Sequence, residues 1–415
     1  DYKTTIGLGS TTTIDSMIIY WPDRSVSRIK NPAVDSLYTI EQPGNAEEYL
    51  PTPAEITPLF AAIAHNFEKH RENNHIDFYY ERNIPFMLSR EGPAAAVADV
   101  NGDGLEDVYI GGAAGQPGQL YIQTEKGFVK KEQDIFNRYA EFEDVAVLFF
   151  DADKDGDADL FIGAGGNHVS ENAFQLRHRL YKNDGKGNFS LDASAFNDNN
   201  GVNISVAVAH DFDGDGDLDL FVGGRSVPMN YGLAATSYVY LNDGNGHFTD
   251  IAKNSGNALA SPGMVTDAMW ADVTGGPEKE LIIVGEWMSP RIFSWNGNRF
   301  EEVKTDLSNY SGFWQSVAAV DVDGDNDLDL VICNMGENAY LRASDQQPLK
   351  IWISDFDQNG SIDKIITRTI NGKDMPVFLK REMTDQLPGL KKRSLKHREF
   401  ADKTFQGLFP DYDAS

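Results

Sequence analysis

The stretch VAVLFFDADKDGDADLFIGAG, residues 145–165, decides the fold class. Six apolar residues lead into a nine-residue acidic turn, Asp151–Asp159, and an apolar run follows it. Short β-branched and aromatic runs bounded by Asp/Gly clusters read as sheet strands. The unit recurs. DVNGDGLED begins at Asp99, DFDGDGDLD at Asp211, DVDGDNDLD at Asp321 and DFDQNGSID at Asp355, and DVTGGPEKE at Asp272 is a degenerate copy. The starts fall roughly every 50 residues, a period that points to a repeat array or propeller.

Inside each window the chemistry is constant. Positions 1, 3, 5 and 9 carry side-chain oxygens: Asp99, Asn101, Asp103 and Asp107 in the first, Asp151, Asp153, Asp155 and Asp159 in the second, Asp211, Asp213, Asp215 and Asp219 in the third. The fourth has Asp321, Asp323, Asp325 and Asp329, and the fifth Asp355, Asp357, Asn359 and Asp363. Position 6 is Gly104, Gly156, Gly216, Asn326 or Gly360, residue types that accept positive φ where the loop folds back. The four side chains and the position-7 carbonyl (Leu105, Asp157, Asp217, Asp327, Ser361) are then expected to converge on one ion. Hard oxygen donors in a flexible loop suit Ca²⁺, giving about five calcium sites. Carboxylates crowded without a cation would repel. In the copy at Asp272, Thr274 and Gly276 occupy positions 3 and 5, so that unit reads as one that has lost its metal.

An EF-hand is excluded by the flanks. It needs a bidentate Glu at position 12 and helices on both sides, whereas position 12 is Ile110, Ile162, Val222, Ile332 or Ile366. A third strand follows most windows and ends in an Asn/Asp-Gly turn, as in LYKNDGKGNF (Leu180–Phe189), VYLNDGNGHF (Val239–Phe248) and IFSWNGNRF (Ile292–Phe300). Strand, acidic loop, strand and hairpin make a four-stranded blade. The expected fold is all-β, a propeller of about six to seven such blades.

These loops and flanks resemble the FG-GAP/VCBS repeats over roughly residues 90–370. The opening GLGSTTTIDSMIIYWPDRSVSRIKNPAVDSLYTIEQ (Gly7–Gln42) resembles the latter part of the ASPIC/UnbV domain, through Gly7-Leu8-Gly9, Ile14-Asp15-Ser16, Trp21-Pro22 and Tyr38-Thr39-Ile40. The two occur together in cartilage acidic protein-like and Bacteroidetes-type surface proteins. The resemblance implies an exported, calcium-dependent scaffold without a catalytic centre, outside the cell or on the outer-membrane surface, and a natural chain extending upstream. The expected organisation is a partial ASPIC/UnbV-like β-domain at 1–42, a proline-rich linker and blade edge or short helix at 43–90, the propeller at 91–380, and a helical extension at 381–415. A seventh blade could come from residues 60–90 and the chain ends, or from sequence outside this stretch.

The remaining features narrow the function. Lys and Arg number 36 against 64 Asp and Glu, a net charge of −28 that disfavours nucleic acid and anionic membranes as partners. No apolar run is long enough to insert in a membrane. The single cysteine, Cys333, precludes internal disulfides and reads as a buried small hydrophobe. No GxSxG, HExxH or P-loop is present. A glycosidase carboxylate pair would be unique rather than repeated, so the chain reads as a non-enzymatic scaffold for a protein or glycan partner, an outer-membrane complex included. The alternative is an accessory domain of a secreted polysaccharide hydrolase. His65, His70 and His75 read as surface residues, His210 as strand packing, and most tryptophans as blade packing. The longer connection Ser226–Ser237 reads as a contact surface. The basic cluster Lys391, Lys392, Arg393, Lys396 and Arg398 reads as a solvated helix face.

Overall fold

A computed structural model describes residues 4–42, 44, 60, 65–197, 201–255, 257–337 and 339–412. The chain divides into two compact units, Asp1–Ala64 and His65–Ser415. In the first unit, β1 (Ser16–Tyr20) and β2 (Val26–Lys30) pair as an antiparallel hairpin. Its turn is closed by Asp23, which accepts from both the amide and the hydroxyl of Ser25. The proline-rich stretch 43–58 lies almost wholly outside the described residues.

The second unit is an all-β, propeller-like array of antiparallel sheets. β3 (Ala95–Ala98), β4 (Asp107–Ile110), β5 (Gln119–Thr124) and β6 (Gly127–Lys131) form one sheet, and β7 (Glu143–Phe150), β8 (Asp159–Gly165), β9 (Arg179–Asn183) and β10 (Phe189–Asp192) the next. β11 (Asn203–His210), β12 (Asp219–Ser226), β13 (Tyr238–Asn242) and β14 (Phe248–Asp250) follow, then β15 (Met264–Ala271), β16 (Glu280–Met288), β17 (Arg291–Trp295) and β18 (Phe300–Glu302). Strand order is sequential in all four, as hairpin connections require. The later sheets are smaller among the described residues. β19 (Gly312–Val320) and β20 (Asp329–Asn334) make a two-stranded unit joined to β16, and β21 (Leu349–Ser354), β22 (Asp363–Ile370) and β23 (Lys373–Pro376) make three. The expectation of four strands in every blade therefore holds for the first four only. Helices Lys380–Gln386, Leu390–Arg393, His397–Ala401 and Phe405–Leu408 cover the last sheet in place of a fourth strand. Trp352 stacks on Phe405 at 4.1 Å within that contact.

First strands pack against one another from sheet to sheet, β3 on β7, β7 on β11, β11 on β15 and β15 on β19. One device repeats at these contacts. Val145, Ser205, Thr266 and Gln315 are each skipped in the ladder as a one-residue bulge, always at the sixth position before the loop's first Asp. A bulge re-aims its side chain. Ser205 Oγ donates to Val265 O (2.8 Å) and Thr266 Oγ1 to Trp314 O (2.7 Å), so the bulged hydroxyl bonds to the next sheet.

Residues 65–90 differ from expectation. Among the described residues they form only a short 3-10 turn, Asp77–Tyr79, and no helix, strand or extra blade. Phe67 packs on Tyr121 and Phe128 at a sheet edge, while Asp77, Glu81, Ile84 and Leu88 are buried. Glu81 ties distant parts together: Asn167 and the Tyr231 amide donate to it, and Lys364 pairs with it at 2.5 Å. The Ser226–Ser237 connection is likewise not a free surface. Tyr231, Ala235 and Ser237 are fully buried. Cys333 is exposed rather than buried, because β20 is an edge strand with no third strand beyond it among the described residues. The tryptophans do pack: Trp270 stacks on Phe212, Trp295 lies 5.1 Å from it, and Trp287 meets Phe313. Among the described residues, no helix is long and apolar enough to cross a membrane.

The core of the second and third sheets encloses His178, ringed by Phe161, Phe196, Tyr238 and Tyr240. Burial, and then the Arg179 charge, push its imidazole down to about 3. The unfolded chain takes up a proton below about pH 6.5 and the folded chain does not, so this group's stabilisation is complete above that pH and declines as pH falls. The unfolding free-energy difference between wild type and His178→Phe is expected to shrink by about 2 kcal/mol between about pH 7.5 and pH 5. A pH-independent difference in chemical denaturation would contradict this.

Candidate metal centres

Each acidic loop is built around its first and ninth residues. The position-1 carboxylate accepts loop amides: Asp99 from Gly102 and Gly104, Asp211 from Gly214 and Gly216, Asp321 from Gly324 and Asn326, Asp355 from Asn359 and Gly360. Asp151 accepts from Gly156. Two reversals make these bonds possible. Position 6 has positive φ as expected (Gly104 83°, Gly156 90°, Gly216 88°, Asn326 75°, Gly360 88°), and so does position 4 (Gly102 74°, Lys154 63°, Gly214 79°, Gln358 59°, Gly324 81°). The glycines at 102, 214 and 324 were the available signal for the second reversal.

The ninth residue is a staple, buried in four of the five loops and half-buried in the fourth, at Asp329. One oxygen accepts the position-2 amide, in Asp107 (3.1 Å from Val100 N), Asp159 (3.1 Å, Ala152), Asp219 (3.3 Å, Phe212), Asp329 (2.9 Å, Val322) and Asp363 (3.0 Å, Phe356). The other oxygen reaches the third strand, from Asp107 to Gln123 N, from Asp159 to Asn183 N and from Asp219 to Asn242 N. In the degenerate loop Glu280 still accepts Val273 N at 3.0 Å, and Thr274 Oγ1 donates to it at 2.6 Å. The latch survives there while the acidic cluster does not. Position 9 therefore closes the blade as well as facing the loop.

Carboxylate oxygens converge in four loops. Asp151, Asp153 and Asp159 lie with one oxygen of each within 4.8 Å of the others, as do Asp211, Asp213 and Asp219, Asp321, Asp323 and Asp325, and Asp355, Asp357 and Asp363. The first loop has no such triad, since position 3 is Asn101, whose amide donates to Asp103 at 3.1 Å. Position 5 turns toward its own backbone in several loops: Asp103, Asp155, Asp215, Asp325 and Asn359 accept the position-7 amides of Leu105, Asp157, Asp217, Asp327 and Ser361. Of the position-7 side chains, Asp217 pairs with Lys154 at 3.5 Å.

The electrostatics favour a cation. Burial pushes Asp159 and Asp219 up to about 7 and raises Asp107 and Asp363. Burial raises Asp213 and Asp157, and neighbouring aspartates add to it. Asp151 Oδ1 and Asp153 Oδ1 are buried with no hydrogen-bond partner among the described residues. An oxygen-only donor set with orphaned buried oxygens fits a hard divalent ion.

Neighbouring loops are coupled. Asn183 Nδ2 donates to Val100 O in the preceding loop (2.9 Å) and to Ala158 O in its own (3.2 Å); Asn242 Nδ2 does the same to Ala152 O (2.9 Å) and Leu218 O (3.0 Å). Trp295 takes this place in the next sheet and packs on Phe212 instead. Lys182 Nζ lies 3.0 Å from Asp153. Sequence reasoning read these asparagines only as turn residues.

Comparison with known families bears on both units. Residues 1–47 match the family model described as ASPIC and UnbV. Residues 99–162, 211–275 and 278–332 match the FG-GAP-like repeat. No curated protein matches the chain. The first two repeat matches begin at the first residue of an acidic loop and the third begins inside the degenerate one, and the loop at Asp355–Asp363 lies beyond the last of them.

Proposed function

The chain is an FG-GAP repeat protein with an ASPIC/UnbV domain at its N terminus, and from that premise we propose that it is a calcium-stabilised, non-enzymatic binding scaffold working outside the cell. The observation that carries this reading is the recurrence of a carboxylate triad in four of the five acidic loops. Asp151, Asp153 and Asp159 would hold one ion, Asp211, Asp213 and Asp219 a second, Asp321, Asp323 and Asp325 a third, and Asp355, Asp357 and Asp363 a fourth. Asp99, Asn101, Asp103 and Asp107 would make a weaker fifth site. Bound calcium would supply positive charge to the loops, and the protein's own contribution is to pre-form them through the position-1 and position-9 hydrogen bonds. Extracellular modules of this kind bind with dissociation constants of about 10⁻⁴–10⁻³ M, which suits a calcium-rich exterior.

A protein or glycan partner fits a rigid array whose loops are pinned at one end and free to vary at the other. Asp213→Ala and Asp323→Ala are each expected to lower the bound calcium by one ion, and Asp272→Ala to leave it unchanged, as read by native mass spectrometry of calcium-equilibrated protein. An unchanged count in the first two variants would contradict calcium ligation by these loops.

A further inference from the structure

Five polar side chains gather at the end of the second sheet farthest from its acidic loop. β7 runs from Glu143 to that loop and β8 returns from it to Gly165, with His168 shortly after. The segment before the first sheet brings Glu72, His75 and Asp77 to the same place. His75 Nε2 lies 3.5 Å from Asp77 Oδ1, and the His75 and His168 rings are 6.1 Å apart. A Cβ on Gly166 would sit 2.8 Å from the His168 ring and 3.5 Å from Glu143 Cβ, so only a bare backbone lets imidazole and carboxylate share this corner.

The burial of these groups is unusual. Asp77 is fully buried and Glu143 is 1% exposed. Each carboxylate has one oxygen anchored: Asp77 Oδ2 accepts the amides of Leu88 (2.6 Å) and Ser89 (3.0 Å), and Glu143 Oε2 accepts the Ala114 amide (3.3 Å). Their other oxygens, Asp77 Oδ1 and Glu143 Oε1, have no hydrogen-bond partner among the described residues. The same holds for Glu72 Oε2, His75 Nε2 and His168 Nδ1. Buried polar atoms are rarely orphaned, and five in one corner need a reason. The His75 and Glu72 side chains are 14% and 25% exposed, so the corner opens to solvent.

Two imidazoles among carboxylates differ in kind from the all-oxygen loops. Imidazole nitrogen selects zinc, iron, nickel or copper over calcium, and an anchored second oxygen orients a ligating carboxylate. We infer that Glu72, His75, Asp77, Glu143 and His168 form a binding site for a first-row transition-metal dication, with His75, Asp77, His168 and Glu143 as the core ligands. The five atoms surround one corner without yet meeting at one point, so binding draws the side chains together. His75 was read from sequence as a surface residue. Its spacing from His65 and His70 carried no signal, because its neighbours here come from residues some 70 and 90 positions away.

The test uses the full chain saturated with calcium, which fills the acidic loops and leaves this corner as the nitrogen-containing site. Zn²⁺ titrated calorimetrically is expected to fill one further site. The double variant His75→Asn/His168→Gln should weaken it at least about tenfold, while Asp272→Ala leaves it unchanged. Co²⁺ added to the unaltered chain is expected to give visible ligand-field bands that Zn²⁺ abolishes, a readout that needs no variant to fold. A zinc isotherm with no calcium-resistant site, zinc affinity retained in the folded double variant, or a Co²⁺ spectrum no different from that of the aquo ion would overturn the assignment.

Discussion

Removing calcium with EGTA is expected to lower the thermal unfolding midpoint of the chain by on the order of 10 °C or more. A ligand that binds only the folded state stabilises it by about 2.7 kcal/mol at a free concentration 100 times its dissociation constant. Four triads act on the same unit, and they are not independent. Asn183 and Asn242 each bond to the backbone of two successive loops, so an ion that orders one loop also orders its neighbour's contacts. Among the carboxylates that would hold the ions, burial raises Asp159 and Asp219 most, and neighbouring aspartates add to it. Lys182 and Lys154 offset part of the repulsion at Asp153 and Asp217, and bound calcium would offset the rest. Magnesium at the same concentration should restore little, since it demands tighter octahedral geometry than a nine-residue flexible loop offers. Differential scanning calorimetry in calcium, in EGTA and in EGTA with excess magnesium measures all three states. Equal midpoints in calcium and EGTA would remove the basis for a calcium-dependent fold.

Most of the loop chemistry was legible because it is local. Oxygen donors at fixed spacing, a reversal at position 6 and β-branched flanks all lie within about twenty residues, and periodicity reports such features directly. What was not legible depended on partners distant in sequence. Position 9 looked like one more ligand, but Asp159 and Asp219 also staple the loop to the third strand through Asn183 N and Asn242 N. Glu280 shows that this second role persists where the metal cluster is gone. The bulges at Val145, Ser205, Thr266 and Gln315 share a position but not a residue type, so no composition signal marks them. The Ser226–Ser237 connection reads as a contact surface because it is long. Its Tyr231 instead turns inward to Glu286 and Glu81, each more than fifty residues away. Cys333 differs for the converse reason: an apolar strand is buried only if its sheet continues, and among the described residues it does not continue beyond β20.

Replacing Arg225 with methionine is expected to destabilise the second unit by about 3–5 kcal/mol. Arg225 is 3% exposed on β12. Its Nη2 bonds Glu286 Oε1 at 2.9 Å on β16, and its Nε bonds Glu91 Oε1 at 3.0 Å. Glu286, 1% exposed, also accepts Tyr231 Oη at 2.7 Å and Gln315 Nε2 at 3.2 Å, and Trp287 Nε1 donates to Tyr231 Oη at 3.0 Å. One guanidinium thus joins the third sheet, the fourth sheet and the segment leading into the first. Methionine keeps the hydrophobic stem but strands the Glu286 carboxylate, still bonded to two neutral donors yet without a counter-charge in a dry site. Breaking one side of such a pair costs more than removing both, because desolvation of the remaining charge is no longer offset. Arg225→Met/Glu286→Leu should therefore be more stable than Arg225→Met, and Glu91→Gln, at a side chain that is 26% exposed, should cost about 1 kcal/mol or less. Urea unfolding in saturating calcium, with the double-mutant cycle completed by Glu286→Leu, separates the coupling from lost packing. An Arg225→Met cost below about 1 kcal/mol, or a double variant weaker than the sum of its singles, would show that the sheets are held together by packing and bulge hydrogen bonds rather than by this buried charge network.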